Sequence, residues 1–160
     1  MIAAVLDSTV LSNFTHIRQA RLIETAFDQP VTVAAVMLEL DGGVQSGRVP
    51  ATDWSWLPVI ELDETELADA NTLSRTLGQG EARCIALAAS RGWLVLTDDR
   101  EARTTAQSLG VAVSGTLGTL ANLVRGKAIT LAEADTLLLQ MMRHGYRSPV
   151  QTLSELLDGS

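Results

Sequence analysis

Four carboxylates in this 160-residue chain have the type and setting to do chemistry: Asp7, Glu39, Glu81 and Asp99. Asp7 closes the apolar run IAAVL, and Asp99 follows the apolar run WLVLT. A buried strand that ends in a carboxylate places that charge at the rim of a sheet. In open parallel sheets, ligands collect outside these carboxyl ends. If the two strands are neighbours, Asp7 and Asp99 face one another, and like charges that close repel unless a cation lies between them. Glu39 sits within the apolar segment VMLEL, and Glu81 opens the helix that feeds the second of these strands. An acid in apolar surroundings needs a partner. Oxygen donors without cysteine or a suitable histidine pair select hard ions such as Mg²⁺ or Mn²⁺. Such ions can activate a water, orient a phosphodiester and stabilise its leaving oxygen.

Each residue also has a plainer role. Asp7 and Asp99 suit the caps of the helices that follow them. Glu81 suits the positive end of a helix, and Glu39 could lie on a solvent face. The hydroxyls of Ser8, Thr9 and Thr97 serve equally as caps or as part of the surroundings of an ion. Ser12 and Asn13 follow Asp7 by one to two helical turns, where they can reach metal-bound water or substrate or simply support the fold. Arg100 and Arg103, in the first turn after Asp99, can contact phosphate.

These side chains need elements to position them. Residues 2–6 read as a buried strand, followed by the capping types Asp7 and Ser8 and a helical stretch toward Phe14. Residues 17–27 read as a second helix ended by Pro30, and residues 31–33 as a second strand. Residues 34–45 are helix-like and stop near Gly42, Gly43 and Gly47. A third strand is expected over 57–62. Asp63 then caps a helix to about Leu77, and a break at Gly78 and Gly80 leads into a helix from Glu81 to about Arg91. Gly92 ends that helix before the clearest strand, the fourth, at 93–97. Asp98 and Asp99 start a helix to Leu109, and Gly110 precedes a last strand at 111–113. Residues 115–127 and 131–145 read as two more helices, and Pro149 precedes a short amphipathic tail helix. Alternating strands and helices predict one three-layer α/β/α domain over 1–160 with a central, mainly parallel sheet.

Composition fits that class: 46% hydrophobic and 19% charged residues are ordinary for a soluble globular protein. No apolar run approaches the roughly 20 residues of a membrane helix, and the opening MIAAVLDST lacks a basic leader, so a cytoplasmic location is expected. The single cysteine, Cys84, lies in the apolar run CIALAA and reads as a core residue. A net charge of −7 opposes a nucleic-acid partner, but the charge is uneven. Between Asp53 and Asp69 no basic residue offsets Glu61, Asp63, Glu64 and Glu66. From Arg100 to Arg147 the balance reverses, with Arg100, Arg103, Arg125, Lys127, Arg143 and Arg147 against Glu101, Glu133 and Asp135.

The segments around the four acids, in this order, resemble the PIN-domain family along nearly the whole chain. VLDSTVLSNF resembles its opening strand with the first acid at Asp7. VMLEL resembles the second motif, with Glu39, and GQGEARCIALA the third, with Glu81. VLTDDREAR resembles the fourth; its threonine, any residue, aspartate pattern puts the acid on Asp99 and leaves Asp98 as the weaker candidate. VAVSGTLGTLANLVRGK closely resembles a prokaryotic PIN subgroup. Many relatives carry aspartate at the third motif, where this chain has the longer but equally chelating Glu81. The resemblance implies a metal pocket of Asp7, Glu39, Glu81 and Asp99, dependence on Mg²⁺ or Mn²⁺, and cleavage of RNA. It also implies kinship with VapC-type toxins, each held inactive by a small antitoxin protein.

Two other classes compete. A receiver-like signalling domain would want its acidic pair after the first strand and a lysine near the end of the last. Here the pair, Asp98-Asp99, follows the fourth strand, and the one lysine, Lys127, lies beyond the last. A catalytically silent module of the same fold, binding nucleic acid or protein, suits the acidic charge. His16 and His144 read as ordinary surface or satisfied residues. Trp54 and Trp56 read as packing beside the third strand or as stacking surfaces for a base or a partner. The apolar helix LAEADTLLLQMM covers the sheet or forms a homodimer face.

Overall fold

Short β-branched and leucine-rich runs form the centre of the molecule, and every one of them pairs in the same direction. In the computed structural model these are β1 (Ala4–Leu6), β2 (Pro30–Val31), β3 (Leu94–Leu96) and β4 (Val113–Ser114), a parallel sheet in the order β2-β1-β3-β4. Residues 2–157 are described; residue 1 and residues 158–160, the ends of the expected domain, lie outside that range. The expected adjacency of the strands that carry Asp7 and Asp99 is present: Val5 pairs with Val95 and Leu6 with Leu96. Both strands are almost wholly buried, which matches their lack of polar–apolar alternation.

Each strand returns through helix, as parallel pairing requires. The helices that lead from β1 to β3 are α1 (Ser8–His16), α2 (Leu22–Ala26), α3 (Ala34–Gln45), α4 (Glu64–Leu73) and α5 (Gln79–Arg91). After β3 come α6 (Arg100–Ser108), then α7 (Thr116–Arg125), α8 (Leu131–Arg143) and the short α9 (Ser154–Leu157). Helix α5 packs directly on β1 and β3 and adjoins α3, α4 and α6. Its inner face buries Ala82, Ile85 and Leu87 together with Cys84, whose thiol is pushed well above its ordinary range by burial; it is a core residue, as expected, and no nucleophile. Gly92 ends α5 with φ +68, a left-handed turn that brings the chain straight into β3.

Three expectations are corrected. The strand expected over 57–62 is reduced to one bridge between Val59 and Thr32, flanked by Thr32 N–H donating to Pro58 O and Ile60 N–H to Thr32 O. Pro58 has no N–H to continue a ladder, so the segment pairs only at the sheet edge. The helix expected over 17–27 survives only as α2. Arg18 turns left-handed at φ 58, and the Gln19 N–H bonds back to Phe14 O, which stops α1 at His16. The last strand lies later than 111–113, because the Val111 N–H still bonds back to Ala106 O at the end of α6. Trp54 and Trp56 pack against the core, with ring centroids 5.8 Å apart. His16 and His144 stack on each other at 5.4 Å and 12°. No described helix is long and apolar enough to cross a membrane.

One ion pair ties α4 to α5. Asp63 and Glu66 form a reciprocal capping box at the start of α4, and Glu66 also accepts two 3.0 Å bonds from Arg91, at Nε and Nη2. The Glu66 side chain is 1% exposed and that of Arg91 33%. The Arg91 bonds hold the Glu66 carboxyl down at about 2, from an ordinary 4.5, despite its burial. Removing the guanidinium strands a buried charge, so Arg91→Ala is expected to cost about 2–4 kcal/mol in urea unfolding. The double replacement Glu66→Leu with Arg91→Met should recover most of that loss. The pair's contribution is complete above pH 4.5 and fades as the pH falls toward about 2, because the unfolded carboxyl takes its proton first. An Arg91→Ala protein as stable as the parent would contradict this account.

Candidate active site

Asp7 is fully buried at the tip of β1, where it caps α1. Its Oδ1 accepts the Ser8 N–H at 2.7 Å; its Oδ2 accepts the hydroxyls of Thr97 at 2.9 Å and Thr9 at 3.3 Å. Burial nevertheless dominates, and with the Glu39 charge nearby the Asp7 carboxyl is pushed up from 3.8 to about 6. The Thr97 hydroxyl serves both central strand ends, since it also accepts the Asp99 N–H at 3.2 Å. Asp99 caps α6 through a 2.9 Å bond from the Ala102 N–H.

The two glutamates come from helices. Glu81 lies in the first turn of α5, half-buried, and is pushed from 4.5 to about 7, first by burial and then by the charges of Asp7, Asp99 and Glu39. A backbone bond from Gly78 opposes that rise. Glu39 lies on the exposed side of α3, as the plainer reading allowed, yet its carboxylate is not loose. Oε2 accepts the Ser8 hydroxyl at 2.8 Å and Oε1 the Gly80 N–H at 3.2 Å. Gly80 permits that approach because a Cβ there would lie 2.5 Å from Glu39 Oε1. In the sequence Gly80 reads only as a helix break; its contact with Glu39 spans 41 residues and has no local signature.

At the carboxyl ends of β1 and β3, Glu81 thus feels the charges of Asp7, Asp99 and Glu39, and Asp7 that of Glu39. Among the described residues, no three such side chains already converge as a ready-made ion cage. The donor chemistry still fits a hard divalent ion: oxygen donors only, with Asp7 and Glu81 raised first by burial and then by neighbouring carboxylates.

The remaining candidates divide. Ser8 and Thr97 bond directly to the acids. Asp98 faces away from them and accepts the Thr116 N–H at 2.9 Å, the Thr116 hydroxyl at 2.5 Å and Asn13 Nδ2 at 3.1 Å. Asn13 also bonds Thr116 Oγ1, so it braces α1 against α7 instead of reaching the acids. Ser12 bonds back to Ser8 O. Arg103 donates from Nη1 to Thr97 O at 3.0 Å, and Arg100 is exposed at the start of α6. Thr116 has no local mark of this role in the sequence, and only the packing of α7 beside Asp98 and Asn13 reveals it.

The crystal structure of PAE2754 from Pyrobaculum aerophilum is similar in fold, with a TM-score of 0.53 at 18% identity over 80% of this chain and 98% of that one. No protein of curated function matches the chain. The sequence profile of the DUF3368 family, described as a PIN domain, matches residues 3–159. PIN domains are generally nucleases that act on nucleic acid with divalent metals. By that match over almost its full length, the chain belongs to the DUF3368 family of PIN domains.

Proposed function

We propose that the protein is a divalent-metal-dependent endoribonuclease whose active site is formed by Asp7, Glu39, Glu81 and Asp99. The observation that carries this reading is the Glu81 carboxyl, raised to about 7 by burial and by the charges of Asp7, Asp99 and Glu39, beside the buried Asp7 raised to about 6 at the ends of the two central strands. These residues would hold Mg²⁺ or Mn²⁺, and the ion, when bound, supplies a Lewis acid for a phosphodiester and its attacking water. The chain's own part is to fix the donors. Thr97, Thr9 and the Ser8 N–H orient Asp7 before any ion arrives, and Ser8 and Gly80 aim Glu39 inward. The same Ser8 side chain thus adjoins both Asp7 and Glu39.

The toxin role extends the proposal. Beside Glu39 on the outer side of α3, Leu38 is 71% exposed, a position where a small antitoxin could cover the site. A homodimer is the other assembly open to the chain, and light scattering reads it. The acidic net charge favours a second reading, a module that binds nucleic acid without cleaving it.

Incubation with RNA and with single-stranded DNA separates these readings. Cleavage of RNA is expected with Mg²⁺ or Mn²⁺, and its loss with EDTA or in Asp7→Asn or Asp99→Asn. Full activity in both variants would remove these residues from the mechanism. Gly80→Ala, whose methyl would displace the Glu39 carboxylate and press on the buried Val36 at 3.2 Å, is expected to lower turnover at least tenfold while costing about 1–2 kcal/mol of stability. A variant as active as the parent would remove Glu39 from the site.

Stability gives a readout independent of turnover. Between pH 3.8 and about 6, folded Asp7 keeps a proton that the unfolded chain has lost, so its contribution to stability falls as pH rises. Above pH 6 the buried charge costs about 3 kcal/mol. Metal-free Asp7→Asn is therefore expected to be more stable than the parent at pH 8 by up to that amount. Mn²⁺ should raise the Tm of the parent and not of the variant. A metal-free Asp7→Asn protein less stable than the parent would refute the strained carboxylate.

A further inference from the structure

Beside the acidic group lies a cleft of about 300 Å³ that the four acids do not occupy. The two share a wall, because Asp98 lines the cleft while the next residue, Asp99, acts on Glu81. The floor is the start of α7, where Gly115 lies directly under Asp98 and Arg103 and Gly118 under Ser114, so that these side chains, and not bare backbone, face the cleft. Arg103 stands on one side, steadied by Thr97 O, and the exposed Arg147 on the other. Tyr146, half-buried, adds an aromatic surface within the electrostatic reach of Asp98 and Arg103.

The wall that carries Tyr146 and Arg147 is anchored. Tyr146 N–H bonds to Met141 O at 3.0 Å, the Ser148 hydroxyl to Val150 O at 2.6 Å, and Asp135 on α8 accepts the Leu153 N–H at 2.6 Å. The cleft is therefore preformed. It also lies where the sequence charge turns positive, between Arg100 and Arg147. An aromatic face beside two guanidinium groups suits a flat base joined to a phosphate, since arginine forks match phosphate oxygens and bases stack on aromatic rings. Asp98, already satisfied by Thr116 and Asn13, keeps its place and orients Thr116 without spending its oxygens on a ligand.

We infer that this cleft is a nucleotide subsite, in which Arg147 and Arg103 hold a phosphate of the RNA strand next to the one presented to the acids, while its base lies against Tyr146. The inference rests on the proposed nuclease reading for the direction of the strand, but binding itself needs neither metal nor turnover. The test is fluorescence anisotropy of the full chain with a labelled single-stranded RNA of mixed sequence, in EDTA. Arg147→Gln is expected to weaken binding about tenfold, the order of one charge-assisted contact. It should also flatten the dependence of log K on log salt by about 0.7. Arg125→Gln makes the same charge change at the opposite end of α7 and should leave binding unchanged. Equal binding by the parent and Arg147→Gln, equal losses in both variants, or no RNA binding by the parent would each overturn the subsite. RNA bound through Arg147 but never cleaved with Mg²⁺ or Mn²⁺ would keep the subsite and refute the nuclease. Cleavage indifferent to Arg147, in binding and in kcat/KM alike, would do the reverse.

Discussion

A carboxylate with no exposed surface stands at the centre of the molecule, and much of the surrounding structure exists to accommodate it. Asp7 is buried where two parallel strands end together, and burial is the main influence on its carboxyl. Hydroxyls and backbone N–H groups supply what solvent cannot, and each comes from an element that must therefore sit in one place: Thr97 beyond β3, Ser8 and Thr9 in α1. These bonds lower the cost of the buried charge without cancelling it. A carboxyl whose proton affinity is raised in this way marks a functional site more often than a structural one.

Rigidity elsewhere serves this arrangement. The Glu66–Arg91 pair locks the end of α5 to α4, while the start of α5 carries Gly80 and Glu81 into the site. Asn13, Thr116 and Asp98 brace α1 against α7 on the other flank. Polar networks and not apolar packing thus set the orientation of the helix starts, while apolar burial of Leu6, Leu96, Ile85 and Leu87 holds the layers together.

What could be read from the sequence follows from how local each signal is. Buried strands such as residues 93–97 announce themselves by composition, and α3 begins and ends at the expected residues because a helix pattern is written within the segment itself. The four acids were legible as strand-end and helix-start residues, and the family resemblance ordered them. Arg18 carries no mark of the left-handed turn it adopts, and nothing local shows that 57–62 meets the sheet through a single bridge. Glu39 was harder still: its apolar neighbours suggested burial, whereas it is exposed and tethered by Ser8 and Gly80, residues 31 and 41 positions away. Likewise, the division of labour between Asp98 and Asp99 depends on Thr116, which adjoins them only after β4 has paired with β3.

That division has a mechanical consequence. Two successive carboxylates serve different partners: Asp98 holds the brace between α1 and α7, while Asp99 caps α6 and acts on Glu81. Shifting the doublet by one residue would take Asp98 away from Thr116 and Asn13 and Asp99 away from the cap of α6. The doublet therefore behaves as a phase marker for the chain. The spacing from β3 to α6 is thereby held by two separate sets of hydrogen bonds, one on each carboxylate.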